Sequence, residues 1–178
     1  MTEPSASARE TRTLEILDTL VQQPAVRREL DAIADRLEAR LAAERSEPLV
    51  WQSIPLSLYG AAVPPGIRSS WVFVLRRDSS SGAERHPNSI QRVMSYRGAA
   101  DLQTRPGDPW ISNRLVSQPD APLPDRWLSI PEGVWHKPVM ADEDWVVVSF
   151  HTVPAEELIE ERPDEAGVGT NQRHYVRQ

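Results

Sequence analysis

The chain has 178 residues, no cysteine and a formal net charge of −6. The lack of cysteine excludes disulfides, thiolate metal sites and cysteine nucleophiles, so oxygen and imidazole nitrogen atoms would have to hold any metal. The acidic balance argues against a nucleic-acid-binding protein, which normally has a basic surface. No apolar run reaches the roughly 18 residues of a membrane span, and the amino terminus lacks the layout of a signal peptide. We therefore expect a cytoplasmic protein with no membrane partner.

The first predicted elements are helices. Residues 1–10 are small and polar, and we expect them to be disordered. Residues 11–46 predict a helical extension in which Pro24 separates two helices. The second helix has apolar residues every three or four positions. They are Val26, Leu30, Ile33, Leu37 and Leu41. This stripe must be buried, either against the rest of the chain or across a homodimer, which we favour.

Residues 47–160 carry a different pattern, in which short apolar and aromatic runs alternate with proline, glycine and serine. Regular short strands without a long helix predict an all-β domain, a sandwich or barrel of antiparallel strands. The predicted strands are 50–53, 56–59, 70–75, 90–96, 100–104, 126–130, 134–139 and 145–151. A short C-terminal helix is expected after Pro154, and residues 161–178 are expected to form a polar tail.

Two of the four histidines lie in the β domain at informative spacings. Glu84 and His86 are two residues apart, so in a strand both side chains point to the same face. A tight turn at 87–89 would return the chain and allow Gln91 to face the same interior. A proline-glycine turn before His136 would bring a fourth polar side chain from a distant strand.

These spacings resemble the two motifs of the cupin superfamily, whose fold is a small jelly-roll β-barrel. The first cupin motif is His-x-His, four residues, Glu, six residues, Gly. Here Glu84-x-His86 is followed at the same intervals by Gln91 and Gly98. The second motif, Pro-x-Gly-x-x-His, is matched by residues 131–136. The resemblance implies a cupin barrel with an N-terminal two-helix extension and a short C-terminal helix.

Three blocks resemble one cupin family more closely, the ureidoglycolate lyases. The blocks are residues 84–91, 133–138 and 144–148. The chain departs from the family pattern at Lys137, where the family has a second histidine, and at 149–151, where it tends to have an Asp-Arg pair. The resemblance implies cleavage of a small ureido and hydroxy acid, ureidoglycolate, into glyoxylate and urea.

The same resemblance implies roles for individual side chains. Glu84 and His136 are the best candidates for proton transfer. The implied metal ligands are Glu84, His86, Gln91 and His136. They suit a divalent transition metal such as Fe, Mn, Ni or Zn, and no organic cofactor is expected. Candidates for contacts with the substrate or its carboxylate are His151, Arg76, Arg92, Arg97 and Lys137.

Two other functions stay open from the sequence. The chain could be a different metal-dependent cupin enzyme, a dioxygenase or an isomerase, which would contain a stoichiometric transition metal. It could instead be a non-catalytic cupin that binds a small ligand, with the helical extension mediating assembly. In each case the expected partner is a small molecule, and nucleic acid is not expected.

Overall fold

The structure is a computed structural model of the chain. The described residues are 5–164 and 169–176. Two helices come first, α1 (Ala6–Gln22) and α2 (Pro24–Ala43). The Ser5 hydroxyl caps α1, because it accepts a hydrogen bond from the backbone N–H of Ala8 at 3.2 Å. The helix therefore starts inside segment 1–10, where disorder was expected, while the first four residues lie outside the described part.

Ten strands and three short helical segments follow within the described residues. The strands are β1 (Leu49–Ile54), β2 (Ser69–Leu75), β3 (Gln91–Arg97), β4 (Ala99–Arg105), β5 (Arg114–Val116), β6 (Trp127–Ile130), β7 (Trp135–Met140), β8 (Trp145–His151), β9 (Ile159–Pro163) and β10 (Thr170–His174). The short helices are α3 (Leu123–Arg126) and two 3₁₀ turns, Leu56–Tyr59 and Ala155–Glu157.

The structure corrects the predictions made for both ends of the β domain. The strand expected at 56–59 is a 3₁₀ turn that begins after Pro55. The helix expected after Pro154 is also a single 3₁₀ turn. The segment 161–178, expected to be a polar tail, instead contributes to the hairpin of β9 and β10, apart from residues outside the described ranges. Most residues of this hairpin are charged or polar, so its composition resembles that of an exposed loop.

The strands form two antiparallel layers. One sheet has the order β1-β2-β8-β3-β6, and a second has the order β5-β4-β7. Residues 84 and 85 join the hairpin of β9 and β10 to the second layer. The backbone of Glu84 pairs with His136 of β7, and the backbone of Arg85 pairs with Glu161 of β9. Two antiparallel sheets packed face to face agree with the prediction of a β-rich domain.

The five-stranded sheet has two buried faces. On the helix-covered face, apolar strand residues pack against α1 and α2. They are Val50, Ile54, Val72, Val74, Met94, Tyr96, Trp127, Val146, Val148 and Phe150. The cavity face points toward the second layer. Its main residues are Trp71, Leu75, Gln91, Val93, Ile130, Trp145, Val147, Ser149 and His151.

The apolar stripe of α2 is buried on the helix-covered face. Its five residues belong to the same apolar cluster as the strand residues beneath them. The stripe therefore packs on the chain's own sheet, and the homodimer stays a prediction without that support. Because helices and sheet share one core, the division into 11–46, 47–160 and 161–178 also stays a prediction. Among the described residues, no helix is long and apolar enough to cross a membrane.

Two carboxylates anchor α1 to the sheet. Glu10 accepts two hydrogen bonds of 2.7 Å from the Arg92 guanidinium. Two turns further along, Asp18 binds the Arg126 guanidinium and accepts a hydrogen bond of 2.9 Å from the Trp127 indole N–H. These paired charges hold the helix in register over the strands.

Candidate metal centre

Three of the predicted site residues meet between the two layers. One ligand atom from each of Glu84, His86 and His136 lies within 4.8 Å of the others. The backbones of Glu84 and His136 exchange two hydrogen bonds, of 2.9 and 2.8 Å, so their side chains project from the same face. The turn before β7 allows this pairing, because Gly133 adopts a positive φ of 72° and donates to the carbonyl of His86.

Backbone carbonyls orient both imidazoles. Nδ1 of His86 lies 2.9 Å from the carbonyl of Ile159, and Nδ1 of His136 lies 3.2 Å from the carbonyl of Val134. A carbonyl only accepts hydrogen bonds, so each Nδ1 carries a proton, and Nε2 of each ring is the atom turned away from the backbone. Metal-binding histidines are commonly held in this way. Nε2 of His136 is buried and has no hydrogen-bond partner among the described residues.

The electrostatics keep Glu84 charged and His86 neutral. Burial would raise the pKa of Glu84, but its contacts with His136, His86 and Arg162 outweigh burial and hold that pKa well below the usual range. Burial, reinforced by the neighbouring His136, lowers the pKa of His86 to about 4. Burial also holds the pKa of His151 well below its ordinary value. One carboxylate and neutral imidazoles are suitable ligands for a cation at neutral pH.

Arg162 is the residue of this site that sequence reasoning missed. Its Nη2 lies 2.6 Å from Oε2 of Glu84, its Nε lies 2.7 Å from Oε1 of the buried Glu160, and its Nη1 donates to the carbonyl of Ser81. These contacts leave Oε1 of Glu84 facing His136, at 3.6 Å from Nε2. The only local signal for β9 is an Ile-Glu-Glu-Arg run, which is also typical of an exposed segment.

A small cavity of about 50 Å³ opens beside the cluster. Its polar wall includes Glu84, Gln91 and His136, and the rest of the wall is mostly apolar. The other lining residues are Leu49, Phe73, Leu75, Ser81, Val93, Leu102, Pro138, Trp145, Val147 and Tyr175. Among the described residues that line it, none is an arginine or a lysine. Tyr175 also lies in the segment that was expected to be a tail.

Gln91 and His151 are neighbours on β3 and β8. Gln91 lines the cavity, and its Oε1 is buried without a hydrogen-bond partner among the described residues. His151 is not among the described residues that line the cavity. Its ring packs edge-on against His86, with centroids 5.1 Å apart, and its Nε2 lies 2.9 Å from the Ser149 hydroxyl. Direct contact between His151 and a substrate therefore stays a prediction that this position does not favour.

Arg76 and Lys137, expected to bind a substrate, lie outside the cavity. Nη2 of Arg76 donates to the carbonyl of Leu41 at 2.6 Å, at the C-terminal end of α2, where a cation offsets the helix dipole. Lys137 follows His136 in β7, so the alternation of the strand turns it to the opposite face. Its Nζ lies 4.4 Å from the centroid of the Trp110 ring.

Arg92 and Arg97 also have structural partners. Arg92 binds Glu10 on the helix-covered face, as described above. Arg97 binds Asp31 at 2.9 Å and Asp35 at 2.7 Å, both on α2. Each guanidinium serves the contact between helices and sheet, so neither is a carboxylate anchor in the cavity.

The donor set fits a divalent transition metal. Ligand bonds of about 2.1 Å place neighbouring donor atoms roughly 3.0–3.4 Å apart, close to the 3.6 Å between Glu84 and His136. Nε2 of His136 and Oε1 of Gln91 are buried without a hydrogen-bond partner among the described residues, and a bound metal ion would satisfy both atoms. Two imidazoles with one carboxylate suit Fe, Mn, Ni or Zn. Glu84, His86, His136 and Gln91 would be the ligands.

Comparison with known proteins gives similarity only at the level of solved structures. No family model matches the sequence, and no curated protein matches it. An oxalate oxidase in complex with the substrate analogue glycolate has a TM-score of 0.45 and 12% identity, covering 60% of this chain and 51% of that one. The formate complex of Lactobacillus farciminis oxalate decarboxylase has a TM-score of 0.46 and 14% identity, covering 61% and 30%.

A third solved structure, procruciferin, an 11S globulin from Brassica napus, has a TM-score of 0.40 and 22% identity, covering 48% of this chain and 20% of that one. The chain thus spans about half the length of the oxalate oxidase chain and less than a third of the other two. The three neighbours are cupins. Their TM-scores below 0.5 are too low to assign this chain a family or an activity.

Proposed function

We propose that the chain is a cupin-type, metal-dependent enzyme that acts on a small acid. The convergence of Glu84, His86 and His136 on one buried point carries the proposal. The spacing of these residues matches the cupin motifs, and the fold brings the two motifs together although 50 residues separate His86 from His136 in the chain. When bound, a divalent metal would polarise a hydroxyl or carboxylate oxygen of the substrate.

The lining of the cavity supports a need for a metal. The Glu84 carboxylate faces the cavity, and the described lining residues include no arginine or lysine. Arg162 compensates the charge of Glu84 but is already bound to Glu84 and Glu160, so a carboxylate substrate would find no free cationic side chain among the described lining residues. A cation held by Glu84, His86, Gln91 and His136 would bind that carboxylate. The small volume of about 50 Å³ also favours a small substrate.

Cleavage of ureidoglycolate into glyoxylate and urea is the specific reaction that we propose. It rests on the resemblance of residues 84–91, 133–138 and 144–148 to ureidoglycolate lyases. Glu84 and His136 were also candidates for proton transfer. A lone pair that binds a metal cannot accept a proton at the same time, so in the metal-loaded protein we assign both residues as ligands.

Elemental analysis of protein purified without chelators tests the proposal. We expect one transition metal ion per chain in the wild type and its loss in His136→Ala. His174→Ala is the matched control, because His174 is exposed on β10 and should leave the metal bound. Wild-type protein that cannot be loaded with Fe, Mn, Ni or Zn would overturn the metal-dependent function.

A coupled assay for glyoxylate tests the substrate separately. The metal-loaded wild type should release glyoxylate from ureidoglycolate, and His136→Ala should lose most of this rate, because the variant would no longer hold the Lewis acid. Full metal occupancy without glyoxylate release would overturn the substrate and leave the metal site intact.

A further inference from the structure

A buried chain of hydrogen bonds runs behind the cavity wall. Nε2 of Gln91 lies 3.4 Å from the Ser149 hydroxyl, and the same hydroxyl lies 2.9 Å from Nε2 of His151. Nδ1 of His151 then lies 3.4 Å from the Ser89 hydroxyl. The Ser89 hydroxyl donates to the carbonyl of Ile90 at 3.1 Å. The four side chains of this hydrogen-bond network are buried, so water does not supply alternative partners.

The last contact sets the direction of every other one. The Ser89 hydroxyl accepts from the backbone N–H of Thr152 at 3.1 Å and has one proton of its own to donate. Its possible acceptors are the Ile90 carbonyl at 3.1 Å and, farther away at 3.4 Å each, Oγ1 of Thr152 and Nδ1 of His151. We assign the proton to the nearer carbonyl, which can only accept, so Ser89 accepts from His151. Nδ1 of His151 therefore carries the proton, and Nε2 of the neutral ring is an acceptor. Ser149 donates to that Nε2 and can only accept from Gln91. The Gln91 amide must then present its NH₂ group to Ser149 and keep its Oε1 for the cavity.

Resting on the proposed function, we propose that His151 is a positioning residue, which acts through Ser149 to present the Gln91 carbonyl oxygen as a metal ligand. The amide of a free glutamine side chain could turn either atom toward the cavity. The inward NH₂ group would repel a cation, whereas the inward oxygen can bind one. The fixed direction of the network removes the first arrangement.

This assignment also accounts for the buried Oε1 of Gln91. A buried carbonyl oxygen without a partner is unfavourable, and native proteins seldom retain one without a reason. Nothing among the described residues donates to this atom. A cation on the cavity side would satisfy it. His151 thus orients the Gln91 ligand through Ser149 and does not itself contact the substrate or the metal.

Binding of Mn²⁺ to the purified protein, followed by electron paramagnetic resonance, tests the assignment. We expect Ser149→Ala to weaken Mn²⁺ binding roughly tenfold, in the range found for residues that orient metal ligands. His151→Phe, which keeps a ring but makes neither hydrogen bond, should do the same. Ser95→Ala is the matched control, since Ser95 is equally buried on the cavity face but bonds to Trp145 and Gly98.

The tautomer of His151 provides a readout that needs neither metal nor a variant. Long-range nitrogen–proton NMR spectra of the wild type should show the proton on Nδ1 of His151. A proton on Nε2 would reverse the network and overturn the inference. Equal Mn²⁺ affinity in Ser149→Ala and Ser95→Ala would overturn it as well. If the wild type binds no Mn²⁺ or other metal, the proposed function fails, while the tautomer still decides the orientation of Gln91.

Discussion

The two faces of β8 show how one strand has two different roles. Even-numbered residues Val146, Val148 and Phe150 lie on the helix-covered face and are all apolar or aromatic. Odd-numbered residues on the cavity face change from Trp145 and Val147 to Ser149 and His151. A strand places successive side chains on opposite faces, so the two patterns can vary independently in one segment.

The helix-covered face contributes mainly to stability, whereas the cavity face carries the polar groups of the candidate site. Burial of apolar area is the main favourable contribution to folding, and the helix-covered face contributes it under α1 and α2. The polar end of the cavity face contributes less, because buried polar groups must be paired and Oε1 of Gln91 has no partner among the described residues. A sheet with one mostly apolar face can support a second face that departs from optimal packing.

The largest expected effect comes from the helix-covered face. Phe150 is fully buried there and packs against Tyr59 and Trp127. Phe150→Ala should lower the free energy of unfolding by about 3–5 kcal/mol, as for other buried aromatic truncations. Urea denaturation measures this loss. The comparison predicts unchanged Mn²⁺ affinity in the folded variant, and a large drop in affinity would show that the two faces are coupled.

Arg162→Gln should lower the free energy of unfolding slightly less than Phe150→Ala does, and it should change the site on the cavity face. It removes a cation from the buried Glu160 and from Glu84, for a loss of about 3 kcal/mol in urea denaturation. Because Arg162 helps to hold the pKa of Glu84 down, that pKa should rise, which carbon NMR of the carboxyl group measures.

Arg173→Gln separates the two parts of that expectation. Arg173 also pairs with Glu160, at 2.7 Å, and has no contact with Glu84 given by the structure. It should reduce stability without moving the titration of Glu84. Equal titration shifts in both variants would contradict the positioning of Glu84 by Arg162.

The contact between helix and sheet should depend on acid pH through Asp18. Burial would raise the pKa of Asp18, but hydrogen bonds from Arg126 and Trp127 outweigh it and lower that pKa. The contribution to stability is thus fully present above the unfolded value of about 3.9 and is lost as pH falls through the lower folded-state pKa. Asp18→Asn should cost about 1–2 kcal/mol at pH 7 and flatten the acid limb of unfolding curves.

The exposed Glu15 is the control for Asp18, since it lies on the same helix and pairs with Arg12 at the surface. Glu15→Gln should change stability by less than about 1 kcal/mol and keep the acid limb of the wild type. An acid limb for Asp18→Asn identical to the wild type would show that the anchor does not control the pH dependence.

Lys137→Gln should have the smallest effect. Lys137 packs on Trp110 outside the cavity, where a cation–π contact contributes about 0.5–1 kcal/mol. Mn²⁺ affinity and the rate of glyoxylate release should stay within about twofold of the wild type. A large loss of substrate affinity in kinetic assays would place Lys137 in the site after all.

Local patterns predicted those parts of the molecule that depend on local geometry. The i, i+2 spacing of Glu84 and His86 predicted that these two side chains share a face, and the resemblance to the two cupin motifs implied that His136 joins them. The helical period of α2 predicted the buried stripe, although not the surface that covers it. The strand predicted at 56–59 was wrong, because a short run of three apolar or aromatic residues and one serine after a proline does not distinguish a strand from a 3₁₀ turn.

Only the tertiary structure decided which charged residues belong to the site. Nineteen of the twenty basic residues are arginines spread along the chain, and the strand pairing alone brings Arg162 to Glu84 across 78 positions. The same pairing sends Arg76 to the end of α2 and Lys137 to the outer surface. By itself the sequence determined the two long helices and most strands of the β domain, because periodicity and turns act over a few residues, and the cluster of Glu84, His86 and His136 was expected from the resemblance to the cupin motifs. The partners of long charged side chains depend on distant segments, which local patterns do not encode.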